Sequence, residues 1–268
     1  MITPHELGEE QWNWSTVREY GKKLTRRNAD GVLTQLGLYR FRYRPNIQIG
    51  QAGGMQYDRF VNPTASRWNT PEVIAALSFI QGAIVEDGTA LYRFDNTFRF
   101  WNGTSGINLI DGPGIIGPYL SNVDFNWDIA PQPMGPANNG SEVRPAIGLQ
   151  ISAQSRHPEI VWEWVKFIAT RQEAITRFAQ ITGRLPALLE VAQQYGRYVP
   201  VAPKHWEVFH EVSLNPHSFP SYVVPDDRVG RAENEILNRV WAGEMSVPAA
   251  VQMIDEMVNA LLQSGSAH

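Results

Sequence analysis

Nine Trp, nine Tyr and eleven Phe give this 268-residue chain its main chemical resource. Aromatic rings offer flat apolar faces, and sugars present flat C–H faces ringed by hydroxyls. A site for such a solute needs stacking platforms and a few fixed hydrogen-bonding groups. Reactive groups are less promising. The six histidines are His5, His157, His205, His210, His217 and His268. His205 and His210 are five apart, so a helix would not bring them to one face as a metal pair. No H-E-x-x-H, G-x-S-x-G, phosphate-loop or dinucleotide string occurs. Gly112-Pro113-Gly114 reads as a turn whose proline spoils a phosphate cradle. Asp226-Asp227 reads as the cap and first turn of a helix rather than a catalytic pair. Two tripeptides, beginning at Asn102 and Asn139, fit glycosylation sequons. The residue types point to binding, with no catalytic group, metal ligand set or cofactor.

Composition narrows the class further. The formal charge is −4, and basic residues cluster only at Lys22-Lys23 and Arg26-Arg27. That argues against a nucleic-acid partner. There are no cysteines, so disulfides, thiolate metal sites and thiol nucleophiles are excluded. No apolar run approaches the roughly 20 residues that a membrane-crossing helix needs. The first residues, Met1-Ile2-Thr3-Pro4-His5-Glu6, lack the basic start and apolar core of a signal peptide.

The elements that must position a site can be read from periodicity and punctuation. A helix is expected over residues 14–25, and another from 71 onward, with Thr70 as cap and Pro71 at its first position. Val73, Ile74, Leu77, Ile80 and Ile84 form the buried stripe of that second helix. Strands are expected over 36–42, 107–111, 127–131 and 144–151, with loops at 45–51 and 131–142. Helices then dominate: 158–170, 172–181, 186–194, 203–211, 227–241 and 248–262. Ser155 is the expected cap of the first of these, and Ile160, Val161, Trp164, Phe167 and Ile168 form its stripe. The second should end at Thr182-Gly183. Strands separated by helical patterns favour an α/β class.

Several motifs carry a resemblance. Residues 155–170 read Ser-Arg-His-Pro-Glu-Ile-Val-Trp-Glu-Trp-Val-Lys-Phe-Ile-Ala-Thr, and Ile181-Thr182-Gly183-Arg184-Leu185-Pro186-Ala187 follows. This resembles the S-K-H-P-E-x-A-W-E-F-x-K-F and T-G-x-L-P-A segments of the extracellular solute-binding proteins, family 1, of bacterial ABC importers for sugars. Similar matches occur, in order, at Trp14 to Thr25, at Ala29-Asp30-Gly31 with Gln35 to Leu38, at Gln51-Ala52-Gly53-Gly54, at Asn69 to Phe79, at Asp128 to Gly135 and at Trp241 to Ala250. Each is weak alone; seven in order, from about residue 12 to 262, specify the family far better than the ligand.

The resemblance implies a periplasmic-binding-protein-like (type II), helix-rich α/β fold. Residues 1–146 and 216–268 would form its C-terminal lobe, and residues 147–215 the late helical part of its N-terminal lobe. It also implies a first N-terminal segment ahead of Trp14 that these 268 residues do not carry. The implied function is a substrate-binding component that captures a sugar or similar polar solute between two lobes and delivers it to ABC permease subunits. Its location would be extracytoplasmic, in the periplasm or at the cell surface. The family's cleft positions fall on Tyr43, Asn46, Gln48 and Gln51 before the double glycine, on Asp111, Gly112 and Gly114 at the central turn, and on His217 and Tyr222 in the late crossing. Many sugar binders of the family carry Trp where this chain has Gln51 and Gly114, so two stacking platforms of a typical oligosaccharide site are replaced. Without the first segment, the stripe on residues 160–168 needs another cover. A homo-oligomer or a complementing N-terminal segment would supply one, and an interaction module with no small-molecule site is the alternative function.

Overall fold

The computed structural model of the chain describes residues 1–143, 148–199 and 201–265. Its contacts form two bodies. The first comprises Met1–Ile110, Pro131–Val143 and Asn215–His268; the second comprises Asp111–Ala130 and Arg144–Leu214. In chain order the first body contributes helices α1 (Pro4–Leu7) and α2 (Trp14–Leu24), then strands β1 (Arg26–Arg27) and β2 (Leu33–Tyr39). Helices α3 (Pro45–Gln51) and α4 (Pro71–Gln81) and strands β3 (Ser105–Asn108) and β4 (Glu142–Val143) follow. The second body supplies α5 (Pro158–Thr170), α6 (Gln172–Thr182), α7 (Leu189–Ala192), α8 (Tyr195–Tyr198) and α9 (Val208–Leu214). The chain returns to the first body through β5 (Phe219–Pro220), α10 (Asp227–Trp241) and α11 (Val247–Gly265).

The first body packs helices around a small sheet. Strand β2 is central: β1 pairs with it antiparallel, and β3 parallel in the register Leu36↔Ser105 and Leu38↔Ile107. Helix α2 opens on Asn13, whose side chain accepts the Thr16 N–H at 3.2 Å. It then crosses the sheet where side chains are missing. A Cβ on Gly37 of β2 would lie 2.2 Å from the Gly21 carbonyl oxygen of α2. The missing side chain of Gly37 therefore lets strand and helix approach this closely, and a Cβ on Gly21 would itself sit a tight 3.1 Å from Leu38.

Beyond the sheet lies a core of α4, α10 and α11. Thr70 caps α4 with Pro71 at its first position, and Val73, Ala76, Leu77 and Ile80 are fully buried. The same face continues into a π-helical turn, Gly82–Glu86, that buries Ile84. Val229, Ile236 and Val240 of α10 meet Val251, Ile254 and Val258 of α11, all in one cluster with Trp68 and Trp241. The stripe expected on α4 is the one that the fold buries, apart from the half-buried Ile74.

The second body is helical. Pro158 opens α5, and α6 ends at Gly183 with a left-handed φ of 68°. Its buried residues include Val165, Ala179, Val191, Tyr195 and Val208, with Ile116 and Leu120 from the earlier stretch. Gly117 backs onto the Thr182 carbonyl, 2.9 Å from where a Cβ would sit. This packing is why residues 111–130 belong with the second body, rather than with the first as the sequence suggests.

Other expectations differ from the fold. Residues 45–51, expected as loop, form α3: Pro45 starts the helix, and Ile47 and Ile49 are buried. No strand forms over 127–131. The expected strand over 144–151 lies partly outside the described residues, and 148–151 are not strand. Ser155 is not the cap of α5; His157 holds that place, and the Ser155 hydroxyl accepts its N–H at 3.3 Å. The helix expected over 186–194 shrinks to α7, the one over 203–211 shifts to α9, and α8 is an addition. The largest difference is on α5. Only Val165 is buried there, while Ile160, Trp164 and Phe167 are 63%, 55% and 46% exposed. Periodicity found the stripe, but periodicity does not supply the surface that covers it.

The close crossing of α2 and β2 sets a stability test. Gly37→Ala should destabilise the first body by about 1–3 kcal/mol, because the added carbon must displace backbone. Gly230→Ala, in α10 with nothing within 4 Å of the new carbon, should stabilise by about 0.5–1 kcal/mol. Urea denaturation midpoints read both changes.

Candidate binding cleft

An open cleft of about 630 Å³ lies within the first body. Four parts of the chain build it. The turn after β2 and the start of α3 present Tyr43, Arg44 and Asn46. The segment after Gly53-Gly54 presents Gln56 and Tyr57, and β4 presents Glu142. The approach to α10 and its first turns present Tyr222, Asp226, Asp227, Arg231, Glu233 and Asn234.

Each wall is fixed by contacts that need no ligand. Tyr43, 37% exposed, stands edge-on to Phe94 at 6.4 Å, with the Arg42 guanidinium 4.6 Å from its ring centre. Burial pushes the Arg42 guanidinium below its usual range, and its Nε is buried with no hydrogen-bond partner. The Tyr43 face is the more electron-rich surface for that cation. Arg44 is ion-paired with Glu142. Tyr222 is clamped three ways: Tyr57 lies 5.1 Å away edge-on, Phe60 is 4.8 Å away, and the Gln56 N–H donates to its hydroxyl at 3.2 Å. The neighbouring Val223 exchanges backbone bonds with Phe60 and Asn62 at 2.7 and 3.1 Å. At the start of α10, Asp226 caps the helix and accepts Nε and the terminal nitrogen of Arg228. Those bonds hold its carboxyl below the usual range.

Glu233 is the most confined charge of the cleft. It is 9% exposed. Its Oε1 accepts both the Tyr57 hydroxyl and the Trp68 indole N–H, the latter at 2.8 Å. Burial outweighs those two bonds and lifts the carboxyl to about 7; the same burial pushes the Tyr57 hydroxyl well above its usual range. Three other acids line the cleft. Glu142 and Asp226 are engaged by arginines, and Asp227 stands in the first turn of α10.

The residues expected from sequence divide. Tyr43, Asn46 and Tyr222 come together in the cleft. Gln48 and Gln51 are 1% and 0% exposed, inside the body. Gln51 is a framework hub: its Oε1 accepts the Trp14 indole N–H at 2.8 Å, its Nε2 donates to the Gly140 carbonyl at 3.2 Å, and its own carbonyl accepts from Ala137 and Asn138. His217 is exposed, its backbone turned onto Asn215 by a 2.8 Å bond. Asp111, Gly112 and Gly114 belong to the second body, where Gly114 lies against the Arg184 guanidinium. Arg44, Gln56, Tyr57, Glu142, Arg231 and Glu233 had not been expected. Glu233 did leave a signal: it sits four residues after Val229 and three before Ile236, a carboxylate within an apolar helical stripe.

No protein-family profile and no curated protein sequence matches this chain. Solved structures do. The chain is similar to the ABC substrate-binding protein Lmo0181 from Listeria monocytogenes, in complex with cycloalternan, with a TM-score of 0.73 and 18% identity over 94% of this chain and 64% of that one. It is similar to the maltose/maltodextrin-binding domain MalE from Bdellovibrio bacteriovorus, bound to maltotriose, at 0.71 and 22%, over 94% and 67%. It is also similar to UgpB from Mycobacterium tuberculosis, in complex with glycerophosphocholine, at 0.66 and 18%, over 95% and 63%. The fold is thus that of ABC-importer solute-binding proteins, α/β and helix-rich, and the chain spans about two thirds of their length.

The buried carboxyl makes stability depend on pH. A folded value near 7, above an ordinary glutamate, means that the folded state holds the proton more tightly. The stabilisation is complete below pH of about 4.5 and is lost as pH rises through about 7, a change of order 3 kcal/mol. Glu233→Gln retains an oxygen for Tyr57 and Trp68 but does not titrate. It should flatten the profile and exceed the wild-type stability at pH 8, as read by denaturant midpoints from pH 4 to 9.

Proposed function

We propose that this chain is a substrate-binding component of an ABC importer, and that it holds a sugar or similar polar solute against the cleft of the first body. The observation that carries the reading is the cleft itself. Three tyrosine rings, the side-chain amides of Asn46, Gln56 and Asn234, and Arg231 converge in a fold shared with proteins whose bound ligands include maltotriose and cycloalternan. The rings would carry the C–H faces of a sugar, and the amides and guanidinium would meet its hydroxyls. Tyr43, Asn46 and Tyr222 are the proposed contacts among those that the sequence suggested. The first body corresponds, in this reading, to a C-terminal lobe, and the second body to part of an N-terminal one.

Binding without turnover is part of the proposal. A glycosidase needs two carboxyl groups disposed about one bond. In this cleft Glu142 and Asp226 are neutralised by arginines, Asp227 stands in the first turn of α10, and Oε1 of Glu233 is held by Tyr57 and Trp68. Delivery to permease subunits and an extracytoplasmic location follow from the same reading. Among the described residues no helix is long and apolar enough to cross a membrane.

A specific observation favours a second role for the other body. Ile160, Trp164 and Phe167 follow one face of α5, and Phe178 and Ile181 of α6 are 48% and 65% exposed. Exposed apolar surface on this scale marks an interaction site. We infer that a polypeptide covers it, either a complementing N-terminal segment or a second copy of the chain.

Two measurements test these readings. In a thermal-shift panel of neutral sugars headed by maltotriose, a ligand at 100 times its Kd should stabilise by about 2.7 kcal/mol, and Tyr43→Ala should abolish most of that shift. A flat response to every sugar would remove the solute proposal. For the apolar face, light scattering should show an oligomer, or a monomer that binds a hydrophobic dye and loses it in Trp164→Glu. A dye-silent monomer would exclude the covering polypeptide.

A further inference from the structure

Glu233 carries an asymmetry that its structural role leaves unexplained. Both protein donors, the Tyr57 hydroxyl and the Trp68 indole, converge on Oε1. Among the described residues no donor reaches Oε2. The residue is nine-tenths buried yet still lines the cleft. Oε2 is not among the buried polar atoms left without a partner, so it is open to solvent in the cleft, and a visiting donor can take the place of water there. Holding α10 to the segment that bears Tyr57 and Trp68 requires only one oxygen, which a glutamine would provide. The second oxygen is therefore surplus to packing.

We propose that Oε2 of Glu233 accepts a hydrogen bond from the solute, given by a hydroxyl or an ammonium group, and that this acceptor turns the cleft against anionic solutes. The proposal rests on the reading of the cleft as the solute site. Charge supports it. Glu142, Asp226, Asp227 and Glu233 line the cleft against Arg44 and Arg231, and Arg44 is held by Glu142. Asp226 is held in turn by Arg228. Arg231, the remaining lining cation, also acts on Asp226. An entering carboxylate or phosphate meets like charge in a confined space, which disfavours it. A hydroxyl or ammonium meets an acceptor among the rings of Tyr43, Tyr57 and Tyr222, which also suit a cation. Raising the pH ionises Glu233 and strengthens it as an acceptor.

The whole chain at pH 8 tests this by calorimetric titration with three probes: maltotriose for hydroxyl donors, glucamine for an ammonium donor, and glucuronate as the anion. Maltotriose or glucamine should bind, with glucuronate at least tenfold weaker. Glu233→Gln should weaken the bound probe at least tenfold. The Trp68 indole N–H resonance, identified by its loss in Trp68→Phe, should shift on saturation of the wild-type chain; this reading does not depend on the glutamine variant folding. Affinity within twofold of wild type in Glu233→Gln, or an unmoved Trp68 signal in a saturated chain, overturns the role of Glu233 and leaves the cleft standing. Tightest binding of glucuronate overturns the charge preference. Binding of none of the three overturns the cleft reading and this inference together.

Discussion

A carboxylate buried in a helical core must be given partners, and that requirement organises the first body. Glu233 lies in the apolar stripe of α10 and takes its donors from Tyr57 and Trp68, which both belong to the segment between α3 and α4. A partly satisfied charge in such a position would destabilise the fold more than an aliphatic residue. The bonds therefore fix where that segment runs over α10. Tyr57 then stands edge-on to Tyr222, and the tyrosine wall follows from the constraint on the acid. The polar network and the cleft are one construction.

A second network holds the opposite side. Gln51 ends α3 and joins it to Trp14 at the start of α2 and to the segment 135–140. Its amide is fully buried and bonded through both of its polar atoms. This explains how a polar residue beside a double glycine can serve the frame instead of a ligand. Glutamine in a Pro/Asn/Gln-rich stretch looks the same in sequence whether it points outward or inward. Tyr43 and Asn46, a few residues earlier, face the cleft while Gln48 and Gln51 do not. The α3 helix decides between Asn46 and the two glutamines, because it rotates each residue by about 100° from the last.

The second body shows the converse. Helix α5 has the start signal and spacing of a core helix, with Pro158 at its first position, and its apolar face is nonetheless exposed. The chain spans about two thirds of the length of the solved structures that share this fold. Covering such a face is a property of an assembly, and a helix carries no record of its cover beyond the stripe itself.

From the sequence alone, the local and the repetitive could be read. The fold class, the long helices α2, α4, α5, α6, α10 and α11, the Thr70 and Gly183 caps and the order of family-like motifs all rest on neighbours within a turn or two. Tyr43 and Asn46 were reached only by their place before the double glycine, and Tyr222 by its place in the late crossing, and all three line the cleft. Tertiary structure alone decided that residues 45–51 coil into α3, that 111–130 join the second body, that Gln51 is frame, and that Glu233 meets Tyr57 from 176 residues away. Convergence over that distance depends on how helices and strands pack, and packing is a sum over the whole chain that no short window contains.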